Sequence, residues 1–165
     1  MQSFKCLNDK DYITAEKKLN DAINIEPSNY LILYNLGVAC LGLKRLDFAK
    51  KYFEKSISFN SQYFPSMFNL GVLLSKYNEF SEAERMLMNA ITLRPNYYKS
   101  YEKLGDLYKS HKRSEDALNS YKKAIGIQPV EVNLIIKAAV LCHQNRKLDE
   151  AEIYYGNALK IKPNL

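Results

Sequence analysis

Residues 98–131 read YKSYEKLGDLYKSHKRSEDALNSYKKAIGIQPVE, and this stretch decides the fold. Its Gly105, Ala117, Tyr121, Ala124 and Pro129 each belong to a column that recurs at an interval of 34 residues. Glycine stands at Gly37, Gly71 and Gly105. Alanine stands at Ala15, Ala49, Ala83, Ala117 and Ala151. Proline stands at Pro27, Pro95, Pro129 and Pro163, with Ser61 in the missing place. A second small column holds Ala22, Ser56, Ala90, Ala124 and Ala158. Between the two small columns runs a bulky one of Leu19, Phe53, Leu87, Tyr121 and Tyr155. Self-similarity at a fixed period of this length marks stacked supersecondary units.

Each unit reads as two helices. Over Tyr30–Leu43 the apolar residues Tyr30, Leu33, Tyr34, Leu36 and Cys40 recur with a helical period. A polar Lys44-Arg45 turn follows, and Asp47 is expected to cap a second helix that runs to about Phe59. Ser81-Glu82-Ala83-Glu84 reads as a capping box, and Asp149-Glu150-Ala151-Glu152 resembles one. The prolines end the second helices, because proline cannot continue an interior helical turn. Glycine inside a helix costs about 1 kcal/mol relative to alanine. The column of Gly37, Gly71 and Gly105 therefore implies close approach of the second helix, with the bulky column filling the space between units. Neither helix can bury its apolar stripe alone, so neighbouring units must stack.

Composition narrows the function. The 165 residues are 47% apolar and 25% charged, with a formal net charge of +6. That excludes a disordered chain, which lacks the apolar surface to offset chain entropy. No run of 18 apolar residues spans a membrane, and Met1–Cys6 has no apolar signal core. Three cysteines without a secretory signal fit a reducing, cytoplasmic compartment, as does the absence of an N-x-S/T site. Cys6, Cys40 and Cys142 share one column, facing the interior of a helix pair, and they are too far apart along the array to converge on a metal. His111 falls in a solvated turn and His143 late in a first helix, with no nucleophile placed to use either as a base. Glu115-Asp116 and Asp149-Glu150 complement helix dipoles. No catalytic, cofactor or metal site is expected.

The order L-G-x-x-Y, A-x-x-x-F, A, P is similar to that of the tetratricopeptide repeat (TPR) family. Leu104-Gly105-Asp106-Leu107-Tyr108 fits its first helix and Ala117-Leu118-Asn119-Ser120-Tyr121 its second. The resemblance implies an all-α, right-handed α-solenoid (superhelix) of tandem helix-turn-helix repeats. A partial unit would occupy 1–29, with whole units at 30–63, 64–97, 98–131 and 132–165. The family's tryptophan column holds Leu33, Met67, Tyr101 and Ile135, and the last unit has Ala138-Ala139 in place of Leu-Gly. Both ends read as cut, so a fragment of a longer protein is expected.

The same resemblance implies a groove lined by first helices that receives another polypeptide. Helical spacing assigns Leu31, Tyr34, Asn35, Val38 and Leu41 to it from the second unit. The third unit gives Phe68, Asn69, Val72 and Lys76, and the fourth Lys99, Glu102, Lys103 and Asp106. The fifth gives Asn133, Ile136, Lys137, Val140 and His143. The lining runs from apolar to lysine-rich, and Lys103 and Lys137 are expected to be lateral neighbours. Asn69, Lys99 and Lys103 match three columns of the carboxylate clamp in chaperone-binding TPR proteins. Tyr34 and Val38 stand where the clamp has its first Lys and Asn. Asn35 and Asn69 also fit the asparagine ladder of the O-linked N-acetylglucosamine transferase TPR arm. The expected function is non-enzymatic recognition of an extended peptide or amphipathic helix. Its apolar anchors would meet Tyr34, Val38, Phe68 and Val72, and its acidic end Lys99, Lys103 and Lys137. The alternative is the substrate-recruiting arm of a larger enzyme such as a glycosyltransferase. RNA binding is a weaker reading, because Tyr101, Tyr108, Tyr121 and Tyr155 fall in core columns and Lys44-Arg45, Lys50-Lys51 and Lys122-Lys123 on the solvated side. End-to-end self-association is left open by the raw ends.

Overall fold

A computed structural model describes residues 11–164. Cys6 and the opening of the first unit lie outside the described residues. The elements are α1 (Tyr12–Ile25), α2 (Tyr30–Gly42), α3 (Leu46–Phe59), α4 (Phe64–Lys76), α5 (Phe80–Leu93), α6 (Tyr98–Ser110), α7 (Ser114–Ile127), α8 (Val132–Gln144) and α9 (Leu148–Ile161). No strand occurs among the described residues. Helices α2/α3, α4/α5, α6/α7 and α8/α9 form the tandem hairpins. The described residues form two compact units that divide after Met86. In the first, Ala15 and Leu19 of α1 pack with Leu36 of α2, flanked by Ile23, Ile32 and Tyr52. In the second, Ala117, Leu118, Tyr121 and Ala124 of α7 pack with Leu134, Ala138, Leu141 and Cys142 of α8 and Ala151 of α9.

The glycine column does what the sequence requires of it. A Cβ on Gly37 would stand 2.5 Å from the Phe53 ring, and one on Gly105 would stand 2.5 Å from the Tyr121 ring. Both rings are fully buried, so neither can retreat into solvent. A Cβ on Gly42, outside the column, would likewise stand 2.3 Å from the Tyr12 ring. The bulky column is buried at Leu19, Phe53, Leu87 and Tyr121, but Tyr155 is 38% exposed. The expectation that Tyr155 lies in the core is corrected. Its hairpin carries Ala139 in the glycine column, and a methyl there occupies the space a ring would need. No described residue covers the outer side of α9.

The helix starts also differ from expectation. α3 begins at Leu46 with Arg45 at the N-cap, so Asp47 lies in the first turn and accepts a hydrogen bond from the Tyr77 hydroxyl at 2.7 Å. Ser81 likewise sits inside α5, which starts at Phe80, so it is not the N-cap of a capping box, and Glu82 beside it pairs with Arg85. Asp149 and Glu150 follow an N-cap at Lys147 and face the helix dipole from the first turn. The side-chain caps lie elsewhere. Asp11 accepts from the Thr14 N–H at 3.1 Å, and Asn29 accepts from those of Leu31 and Ile32.

The turns inside the hairpins share one geometry. Lys44, Asn78, Lys112 and Arg146 are left-handed, with φ of 59, 60, 59 and 59°. After α2 the Arg45 N–H donates to the Cys40 carbonyl and the Lys44 N–H to that of Leu41. Arg113 with Tyr108 and Lys112 with Lys109 repeat the pattern after α6, as do Lys147 with Cys142 and Arg146 with His143 after α8. This is the Schellman closure, normally completed by glycine. Ion pairs then tie successive second-helix regions together: Arg45 to Glu16 at 2.9 Å, Lys50 to Glu79 at 2.7 Å, and Lys147 to Glu115 at 2.6 Å.

Candidate protein-interaction surface

In residues 11–86 the first helices α2 and α4 present Tyr34, Val38, Phe68, Asn69 and Val72, all half-buried, with Leu31 and Lys76 more exposed. Aromatic packing fixes this face. The Tyr34 ring meets Tyr63 edge-on at 5.3 Å and tilts over Phe53 at 6.0 Å. Tyr63 also meets Tyr30 at 4.9 Å, and Phe68 stacks on Phe64 at 5.9 Å. The Asn69 amide reaches the Tyr34 hydroxyl at 3.4 Å, across adjacent hairpins. Asn35 is placed differently from expectation. It is buried, and its Nδ2 donates to the Leu31 carbonyl at 2.7 Å. Burial, with one amide N–H already engaged one turn back along its own helix, takes Asn35 off the exposed surface and weakens the asparagine ladder.

In residues 87–164 the corresponding face is polar and internally neutralised. Lys137 Nζ lies 2.6 Å from Glu102 Oε1 and 3.0 Å from both Asp106 carboxylate oxygens. Lys103 approaches the same Asp106 at 3.4 Å, and the buried Tyr121 hydroxyl donates to Asp106 Oδ1 at 2.8 Å. Lys103 and Lys137 therefore converge on one carboxylate instead of forming a free lysine pair. Burial alone would lower the Lys137 pKa. The hydrogen bonds from its ammonium to Glu102 and Asp106 outweigh burial and raise it. Burial, then the Asp106 charge, pushes the Tyr121 phenol far above its ordinary value. Lys99 is exposed and makes no ion pair among the described residues. Val140 is half-buried and His143 exposed. His111, expected in open solvent, is half-buried at the end of α6, with Nδ1 at 3.0 Å from the Leu107 carbonyl.

Sequence reasoning missed this network, although a signal was present. Glu102 and Asp106 are one helical turn apart on α6, and Lys137 occupies the face that abuts them one repeat later. The cysteines are packing residues. Cys40 and Cys142 are buried, and burial together with Glu16 pushes the Cys40 thiol up to about 11. Among the described residues no cluster of His, Cys, Asp or Glu could hold a metal ion. Among the described residues no helix is long and apolar enough to cross a membrane.

Tandem hairpins closed by small residues, with first-helix faces made of ordered side chains, define the class of helical-repeat interaction scaffolds. The tetratricopeptide repeat model matches residues 30–63, 64–97, 98–131 and 133–165, and the chain belongs to that family. Solved structures agree on the fold. MamA (residues 41 to the end) from Desulfovibrio magneticus RS-1 superposes with a TM-score of 0.90 at 19% identity, covering 98% of this chain and 91% of that one. PilF of Pseudomonas aeruginosa gives 0.86 at 21% identity, covering 96% and 72%. YrrB, described as a TPR protein with an unusual peptide-binding site, gives 0.82 at 18% identity, covering 98% and 84%. No curated protein sequence matches the chain.

Proposed function

We infer that this chain is a non-enzymatic adaptor that receives an extended peptide or amphipathic helix on its first-helix faces. The observation that carries the reading is the half-buried apolar face of Tyr34, Val38, Phe68 and Val72, held in place by the rings of Phe53, Tyr63 and Phe64. Rigid aromatic groups lose little conformational entropy on binding and supply most of the energy at recognition surfaces. Peptide binding by YrrB, which shares the fold, supports the same use here. Apolar anchors of the ligand meet this face. In the second unit, taken by itself, Lys99 is the exposed cation for an acidic group of a ligand and has no ion-paired carboxylate to displace. Lys103 and Lys137 contribute less than their charges suggest, because Asp106 and Glu102 already occupy them. The setting is cytoplasmic and reducing, consistent with two buried free thiols.

The test is selection of peptides from a displayed library on the intact chain, followed by calorimetry. Selected sequences should carry two apolar anchors, and Tyr34→Ala with Phe68→Ala should weaken them by at least about tenfold, the effect of losing a modest anchor. Peptides that bind the double variant with unchanged affinity would reject the assignment.

A further inference from the structure

One column of the repeat faces the clefts between second helices, and it changes character in a single unit. Tyr52, Met86 and Tyr154 occupy it in the units at 30–63, 64–97 and 132–165, and Ser120 occupies it at 98–131. Tyr52 packs against Ala15, Leu19 and Leu36. Met86 is buried, and Tyr154 packs against the core cluster of α7, α8 and α9. Ser120 has no side chain of that size. Its hydroxyl donates back to the Asp116 carbonyl at 2.8 Å, and a cavity of 310 Å³ opens beside it. Met88 and Ile91 of α5 form one wall, and Tyr101, Leu104 and Tyr108 of α6 form the floor. The cleft beside Met86 is smaller, at 220 Å³. Beside Tyr154 the open space is displaced toward Pro129 and touches α8 at Ile135 alone. The Ser120 cavity lies wholly within the second compact unit. Helical spacing puts its floor on the side of α6 opposite Lys99, Lys103 and Asp106.

We propose that this cavity receives an aromatic side chain of a partner peptide, a tyrosine or phenylalanine with an acidic residue beside it. The repeat itself shows what the place accepts, because two of the other three units fill it with a tyrosine of their own. A ring from outside would lie between the Met88 thioether and the rings of Tyr101 and Tyr108, contacts that favour an aromatic group. The rim sets the flanking charge. Asp116 is neutralised by Arg113 at 2.8 Å, and Lys122 by Glu150 at 2.9 Å. Lys123 is exposed and makes no ion pair among the described residues. Its Nζ stands 6.0 Å from the centroid of the Tyr101 ring, at the mouth. An uncompensated cation at the mouth of an apolar cavity complements a carboxylate next to the entering ring. This occupant is separate from any ligand of the first-helix faces, so the failure of one reading leaves the other intact.

The test is a titration of the labelled full chain with the blocked tripeptide acetyl-Glu-Tyr-Glu-amide, followed by amide and methyl resonances. A ligand of this size held by one ring should bind with Kd on the order of 1 mM. Shifts should centre on Met88, Ile91, Leu104 and Ser120, and acetyl-Glu-Ala-Glu-amide should produce none there. Lys123→Glu should weaken the acidic tripeptide by about threefold or more and leave neutral N-acetyltyrosinamide unaffected. Ser120→Tyr places the chain's own ring in the cavity, so it should abolish binding and raise the thermal midpoint. Ser120→Ala, which leaves the cavity open, should bind like the parent chain. Absence of shifts at those residues up to about 20 mM tripeptide, well above the expected Kd, overturns the proposal. Equal shifts with the alanine tripeptide overturn it too. So does a Ser120→Tyr chain that still binds, or one whose midpoint falls because the cavity does not admit a ring.

Discussion

The Tyr121 ring lies directly over Gly105, so close that a single added methyl would stand 2.5 Å from Cε1 and 3.2 Å from the Ala117 carbonyl oxygen. Alanine is the better helix former by about 1 kcal/mol. Here the contact decides the outcome. Gly105→Ala, and Gly37→Ala against Phe53, should destabilise by about 1–3 kcal/mol through overpacking. Urea melts check this. Equal or greater stability would show that the rings yield and that the glycine column has another cause.

A buried hydroxyl pair supplies a matched test. Ser56 Oγ lies 2.7 Å from Ser66 Oγ and donates to the Tyr30 carbonyl at 2.9 Å. One repeat on, Ser100 remains but its counterpart is Ala90, and the buried Ser100 hydroxyl has no partner. An unsatisfied buried polar group costs about 1–3 kcal/mol. Ser100→Ala should therefore raise stability by about 1 kcal/mol, whereas Ser56→Ala should lower it by a similar amount. The opposite pair of signs in denaturant midpoints would contradict the hydrogen-bond assignment.

The left-handed turns give a third prediction. Lys112 has φ of 59°, where a side chain is strained and glycine is not. Lys112→Gly should stabilise by about 0.5–1 kcal/mol, as relief of the Cβ clash exceeds the added freedom of the unfolded chain. A thermal melt with a lowered midpoint would show that the lysine stem contributes more than its backbone costs.

Stability should fall in alkali. The Cys40 thiol is raised from 9.0 to about 11, first by burial and then by Glu16. Tyr121 and Lys137 are raised as well. A raised folded pKa means that the folded chain holds its proton after the unfolded chain has released it. The contribution is complete below the unfolded value and lost as pH climbs through the folded one. For Cys40 that window runs from about pH 9 to about 11. Thermal midpoints should decline across it, and Cys40→Ala should flatten the first part of the decline. A midpoint independent of pH over that window would contradict the burial of these groups.

The repeat was legible because its signals are steric and periodic. Gly105, Ala117 and Tyr121 leave a mark at each return of the same packing problem. What escaped was set by partners one repeat away. Asn35 reads as a groove residue by angle alone, but its amide turns back to Leu31. Lys137 reads as a free cation until Glu102 and Asp106 are placed beside it. Asp47 looks like a cap, yet the helix starts one residue earlier and Tyr77 claims the carboxylate. Tyr155 shares a column with two buried rings and two buried leucines, and only the methyl of Ala139 and an uncovered helix face distinguish it.

The most direct measurement is a titration of the labelled chain with a selected peptide, followed by amide and methyl resonances. Shifts concentrated at Leu31, Tyr34, Val38, Phe68 and Val72 are the predicted result. Shifts confined to second helices such as α3 and α7, with the first-helix faces silent, would contradict it.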